Sequence, residues 1–228
     1  INYELPPKPY DIAENKESRK RYRREAAEVM NKRAAEFKRS CRTRMTMEAV
    51  RRYKNEVFYI PWSFDYRGRA YPIPAFLTPQ DTDFGKSLLQ FADEAHDVSE
   101  KWLAFQVATS YGLDKATMEE RLEWTRDNVS LVSAVATNPI AFLGTWEGAE
   151  EPWQFLAACD EYYHCCVKQD RHTTSLPVAT DATCSGLQIL AGLARDKSTA
   201  TLVNVVPSDK PQDAYAKVAE TALSLGIP

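Results

Sequence analysis

Residues 176–196 read LPVATDATCSGLQILAGLARD, and the fold turns on how that stretch divides. A short apolar run, 176–179, carries a lone acid, Asp181, at its end; small residues follow, and a helix-like segment starts near Gly186. The order is strand, acid, turn, helix. An acid placed where a strand gives way to a helix faces open space, and a carboxylate there can hold a divalent cation against a phosphate. The same residue can instead cap the helix, which on spacing alone is the commoner role of a lone Asp.

The letters change that balance. DATCSGLQ, followed by ARD, resembles the first catalytic motif of the single-subunit, phage-type RNA polymerases, the family shared by certain bacteriophages and by mitochondria. Upstream, residues 58–80, FYIPWSFDYRGRAYPIPAFLTPQ, resemble the D-x-x-G-R segment of the same family, in the family's order. The resemblance implies an α+β, predominantly helical part of a right-hand polymerase. Residues 1–57 would be a basic, thumb-like helical segment, 58–209 palm, and 210–228 the start of the fingers.

With 228 residues and 44% hydrophobic content the chain can bury a real core. It holds no apolar run of about 18 residues, so no membrane span is expected. The start, INYELPPKPY, has neither signal-peptide regions nor an initiator Met, and so reads as a piece of a longer chain. Cys41, Cys159, Cys165, Cys166 and Cys184 are odd in number and form no C-x-x-C pair, which argues against zinc and against a secreted disulfide framework. His96, His164 and His172 share no metal-ligand spacing with them. Ser185 lacks a G-x-S-x-G elbow, so a hydrolase has little support.

The net charge of -3 is unevenly spread. Residues 16–54 hold 15 Lys or Arg against 5 Asp or Glu, a local +10 that leaves -13 on the remainder. Simple i to i+4 pairing cannot neutralise that excess, so phosphate contact is favoured over a merely solvated surface.

Residues 14–40 show helical spacing at Tyr22, Ala26, Val29, Met30, Ala34 and Phe37, and Thr46 can cap a second helix with Met47, Val50, Tyr53 and Val57 on its apolar side. Residues 58–76 fit short strands and turns. Within them Asp65, Arg67, Gly68 and Arg69 make a compact turn, in which Gly68 can take a positive φ and the guanidiniums offer forked donors to phosphate or sugar oxygens. A surface turn with an internal Asp-Arg pair is the bland alternative. The resemblance favours contact with the RNA-DNA hybrid and adds Lys86 as a nucleic-acid contact.

Residues 98–169 read as helices: Ser99 caps one that ends at Gly112, Asp114 caps the next, Asn138-Pro139 closes a third, and a fourth runs over about 151–167. Trp102, Trp124, Trp146 and Trp153 are assigned to the core. Residues 201–206 are β-prone, and Pro211 suits the first turn of a last helix.

The chemistry the resemblance implies is attack of an RNA 3′-hydroxyl on the α-phosphorus of a nucleoside triphosphate, with two Mg²⁺ ions. Asp181 would bind metal, joined by the backbone carbonyl of Ala182, where the family more often has Gly. Gly186 would leave room for the ribose 2′-hydroxyl, where related DNA polymerases carry a bulky Glu. Gln188 and the Arg195-Asp196 pair also match the family; Ile189 departs from its usual His. The lysine- and tyrosine-bearing fingers motif and the H-D-S motif that brings the second metal-binding Asp are missing, so residues 1–228 alone are expected to be inactive. Expected partners are template DNA, product RNA and nucleoside triphosphates, with a monomeric polymerase in the cytoplasm of an infected bacterium or, alternatively, in a mitochondrion. A DNA polymerase of the same superfamily and a non-catalytic nucleic-acid-binding module are the competing readings.

Overall fold

The long basic stretch forms one helix. A computed structural model, which describes residues 4–180, 182–208 and 210–226, divides the chain into two units, Ile1–Leu88 and Leu89–Pro228. In the first unit α1 spans Lys16–Tyr53. Asn15 caps it, accepting from Glu17 N at 3.0 Å and Ser18 N at 3.3 Å, and Asp11 bonds both Asn15 and Ser18. The expected break at Thr46 does not occur: Thr46 is buried mid-helix, because residues 16–54 contain no Gly or Pro to interrupt the hydrogen-bond ladder. The expected apolar stripe is also not covered within this unit, with Met30 and Phe37 exposed.

The strand expectation for 58–76 holds. β1, Trp62–Phe64, pairs antiparallel with β2, Ala70–Pro72, with Ser63 opposite Tyr71, and the DYRGR turn is the loop between them. A short helix α2, Asp83–Ser87, follows, capped by Thr82.

The second unit is helical. α3 is Glu100–Tyr111, α4 Met118–Asp127, α5 Val129–Thr137, α6 Leu143–Trp146 and α7 Pro152–Tyr162. Leu103, Ala104 and Val107 of α3 close on Val132 and Val135 of α5 and on Phe155, Ala158, Cys159 and Tyr162 of α7. Each fully buried large side chain there contributes about 1.5–3 kcal/mol. Gly112 ends α3 and Asn138 ends α5 as expected; Ser99 stands at the cap position of α3 but makes no side-chain cap bond, and α4 is capped by Thr117 rather than Asp114. Thr117 and Glu120 bond each other's backbone reciprocally, satisfying two donors where Asp114 would satisfy one. Trp146 is buried and donates to Pro139 O at 2.8 Å, and Trp124 packs on Tyr111. Trp102 and Trp153 correct the core assignment, remaining 46% and 43% exposed.

After α7 the helix widens into a π turn, Tyr163–Val167, in which Lys168 N bonds Tyr163 O, five residues back. Charges fold the chain back there. Arg171 pairs with Asp160 and Glu161, and Asp170 meets Lys168 at 2.6 Å and His164 at 2.7 Å. The Lys168 hydrogen bond first, then that of His164, holds the Asp170 carboxyl down at about 2.

The chain continues through α8, Ser185–Ala194, α9, Lys197–Leu202, and α10, Ala214–Ser224. Two expectations fail here. Residues 201–206 form no strand, because Asp196 caps α9 through Ser198 N and Thr199 N and draws their start into a helix. Pro211 lies ahead of α10, whose cap is Asp213. Among the described residues, no helix is long and apolar enough to cross a membrane.

Candidate functional site

The DYRGR turn owes its shape to Asp65. Its Oδ1 accepts from Arg67 N and Arg69 N, each at 2.9 Å, so one carboxylate oxygen organises the loop backbone. Gly68 sits at φ +77°, where an L side chain is strained, and an added Cβ there would meet open space. The Asp is thus spent on amides rather than on an internal Asp-Arg salt bridge. Arg67 Nε instead donates to Tyr66 Oη at 3.0 Å, with its guanidinium over the Tyr66 ring. Arg67, Arg69 and Tyr66 are all exposed at the loop tip, an arrangement able to meet phosphate and sugar oxygens.

Behind the hairpin lies a cluster the sequence reading missed. Asp81, buried, accepts from Arg42 Nη2 at 2.6 Å, Leu77 N at 2.8 Å and Thr82 N at 2.7 Å. Burial alone would raise its carboxyl, but the bonds from Arg42, Thr82 and Leu77 more than offset it and leave it below the ordinary value. Arg42 thereby ties α1 to the loop after β2, and Gly85 of α2 packs against the Asp81 side chain. Half-buried Lys86 lies one residue on. No spacing rule pairs residues 39 apart; the only local signal was an Asp within an apolar, proline-rich loop.

In the second unit, the expected strand 176–179 joins no ladder among the described residues. Residues 91–95 pair with Thr174 and Ser175, through Phe91 N to Ser175 O at 2.9 Å and Ala95 with Thr174, and the pairing stops there. Further on, Ala179 N finds a side chain instead, Gln106 Oε1 of α3 at 3.2 Å. A strand needs a backbone neighbour, and here a carboxamide replaces it. Asp181 lies outside the described residues. Ala182 is exposed, and Cys184, at φ +56°, occupies the cap position of α8 without a side-chain cap bond.

Gly186 lies exposed in the first turn of α8, and a Cβ there would meet nothing within 4 Å. Gln188 donates to Val203 O at 2.8 Å, fastening α8 to the turn after α9. Exposed Arg195, at φ +54°, ends α8, while Asp196 caps α9; the two neighbours therefore end one helix and begin the next rather than pairing. Asn204, also unforeseen, takes φ +60° and donates to Thr183 Oγ1 at 3.0 Å. The readiness of Asn for left-handed turns was the available signal. The site residues thus fall into two groups, Asp65 to Lys86 in the first unit and Ala182 to Asp196 in the second. Among the described residues no three His, Cys, Asp or Glu side chains gather as a metal site.

A family model described as DNA-dependent RNA polymerase matches residues 94–224. The chain is 34% identical over 226 residues to the mitochondrial DNA-directed RNA polymerase of Neurospora crassa, covering 97% of this chain and 16% of that protein. It is 34% identical over 220 residues to the DNA-directed RNA polymerase of Enterobacteria phage K11, covering 95% of this chain and 24% of the relative. With the mouse (Mus musculus) mitochondrial enzyme it shares 36% identity over 172 residues, 73% of this chain and 14% of the relative. The chain therefore spans about a seventh to a quarter of the length of these relatives.

Proposed function

The chain belongs to the phage-type family of DNA-dependent RNA polymerases, and from that premise we propose that it is a thumb and palm portion of an enzyme that extends RNA on a DNA template. In this reading residues 1–57 are thumb, 58–209 palm and 210–228 the first part of the fingers. The observation that carries it is the family match over residues 94–224, which encloses DATCSGLQ and the acid within it.

Asp181 is the proposed metal-binding carboxylate, with the Ala182 carbonyl beside it. The donor chemistry fits magnesium, since both are hard oxygens and Ala182 is exposed. An ion held there would supply Lewis acidity and positive charge near the triphosphate and the RNA 3′-hydroxyl. The chain's own residues do the positioning. Arg67 and Arg69, at the tip of a hairpin whose backbone Asp65 fixes, hold the nucleic-acid backbone. Lys86 contributes a further nucleic-acid contact. Gly186 leaves the ribose 2′-hydroxyl unobstructed, and the open space over its backbone supports that role against the DNA polymerase alternative. Gln188, Arg195 and Asp196 support α8 and α9.

The sequence carries no H-D-S motif, so one catalytic carboxylate has to come from elsewhere, and this chain alone is expected to make no RNA. The working site would be a cytoplasmic, phage-infected cell or a mitochondrion, with a monomeric enzyme. The test is Asp181→Asn in a polymerase of full family length carrying this chain, on a preformed DNA-RNA scaffold. RNA synthesis should vanish while scaffold binding stays. Retained synthesis removes Asp181 from the chemistry, and loss of binding alone would favour a non-catalytic module.

A further inference from the structure

Among the described residues, 176–180, which precede Asp181 in the sequence, join no strand ladder, and individual side-chain bonds hold the chain at Ala179 and Thr183. Among the described residues, the backbone pairing with 91–95 reaches Ser175. Beyond it two carboxamides intervene, one on each side of the acid. Gln106 Oε1 accepts from Ala179 N at 3.2 Å, two residues before Asp181, and Asn204 Nδ2 donates to Thr183 Oγ1 at 3.0 Å, two residues after it.

Both carboxamides are themselves held. Gln106 is 3% exposed, its Nε2 donates to Ser110 Oγ at 3.2 Å, and that hydroxyl donates back to Gln106 O at 2.8 Å. Asn204 accepts from Gln212 N at 2.7 Å and donates to Gln212 O at 2.9 Å, which fixes which end of its amide faces Thr183. A polar side chain buried in a helix is costly unless its partners are supplied, and half of what satisfies Gln106 is the backbone of Ala179. The two anchors come from different elements, α3 and the turn between α9 and α10.

We propose that Gln106 and Asn204 are positioning residues, a carboxamide clamp that fixes the chain two residues to either side of Asp181. The clamp rests on the polymerase reading of Asp181 given above. A catalytic carboxylate misplaced by about 1 Å can lose as much as about a hundredfold in rate, so a clamp of this kind acts on the chemical step and not on substrate affinity.

The experiment measures single-nucleotide addition on a DNA-RNA scaffold by a polymerase of full family length carrying Gln106→Leu, Gln106→Glu, Asn204→Gly or Asp181→Asn, with amide exchange at Ala179 measured alongside. Gln106→Leu removes the acceptor, and Asn204→Gly removes the side chain that donates to Thr183 while accepting the φ of +60° there. Each should lower the maximal addition rate by about tenfold or more, with the nucleotide KM within about twofold. Gln106→Glu keeps an oxygen toward Ala179 and should restore the rate to within about threefold, and the Ala179 amide should exchange faster only in Gln106→Leu. An unchanged rate or unchanged Ala179 exchange in Gln106→Leu overturns the clamp. So does a rise in KM equal to the fall in rate, or a Glu variant as slow as the Leu variant. Should Asp181→Asn keep full synthesis, the polymerase reading falls and takes the clamp with it; should it abolish synthesis while Gln106→Leu runs at full rate, only the clamp falls.

Discussion

Replacing Gly85 with Ala tests whether Asp81 organises the first unit. The three atoms nearest an added Cβ all belong to the Asp81 side chain, each closer than 3.0 Å. That side chain is short and pinned at four bonds, so it cannot swing aside without breaking them. Leaving the buried Leu77 amide unpaired costs about 1–3 kcal/mol. The Arg42 pair adds at most about 1 kcal/mol, because its guanidinium is 43% exposed and screened by water. Against this, Ala in place of Gly favours the helix by about 0.5–1 kcal/mol. The expected net loss is about 2 kcal/mol. In an Asp81→Gly background the obstruction is gone and the same substitution should be neutral or stabilising, a coupling of about 2–3 kcal/mol between the two positions. Urea unfolding of the four chains by circular dichroism, with amide exchange at Leu77 as the local reporter, measures the cycle. Equal effects of Gly85→Ala in both backgrounds would refute the reasoning.

Three further outcomes are expected. The Asp81 carboxyl titrates below its ordinary 3.8 in the folded chain, so it stabilises the first unit above that pH and the contribution is lost as the pH falls through the folded value; acid unfolding profiles should show this loss below about pH 4, and Asp81→Asn should flatten it. Arg69→Ala, in a polymerase of full family length, should shorten the lifetime of an assembled elongation complex, read by dissociation into competitor DNA, and an unchanged lifetime removes Arg69 from the contacts. Gly186→Glu meets open space within this chain and should leave its melting temperature within a degree or two while lowering ribonucleotide incorporation relative to deoxynucleotide; an unaltered preference would detach Gly186 from sugar selection.

What the sequence could disclose followed the range of the forces involved. The hairpin around Gly68, the bounds of α3 at Ser99 and Gly112, and the apolar side of α7 with Phe155, Cys159 and Tyr162 rest on local spacing, and each stands in the structure. Where two local signals compete, spacing alone does not rank them. Thr46 looked like a cap but lies in an uninterrupted helix, and the reciprocal bond of Thr117 with Glu120 outweighed Asp114. The β-prone letters of 201–206 gave way to the Asp196 cap. Bonds between residues far apart left no trace to read. Arg42 with Asp81, and Gln106 with Ala179, are separated by 39 and 73 positions, and only the folded chain brings them into contact. The motif letters supplied the candidate site, while its supporting side chains emerged from the structure alone.

At about 1.5 Å per residue the 38 residues of α1 extend about 57 Å. Its buried side chains are Ser18 near one end and Thr46 near the other, and the Arg42 bond to Asp81 lies beside the second. Lys16 is 26 positions from Arg42, or about 39 Å along the axis, so a tilt of only about 10° at that bond carries the far end sideways by about 7 Å. The Arg42 bond thus stands at the short arm of a long lever, where a small angular difference at one ion pair is magnified into a displacement of several ångströms at the basic far end of the helix.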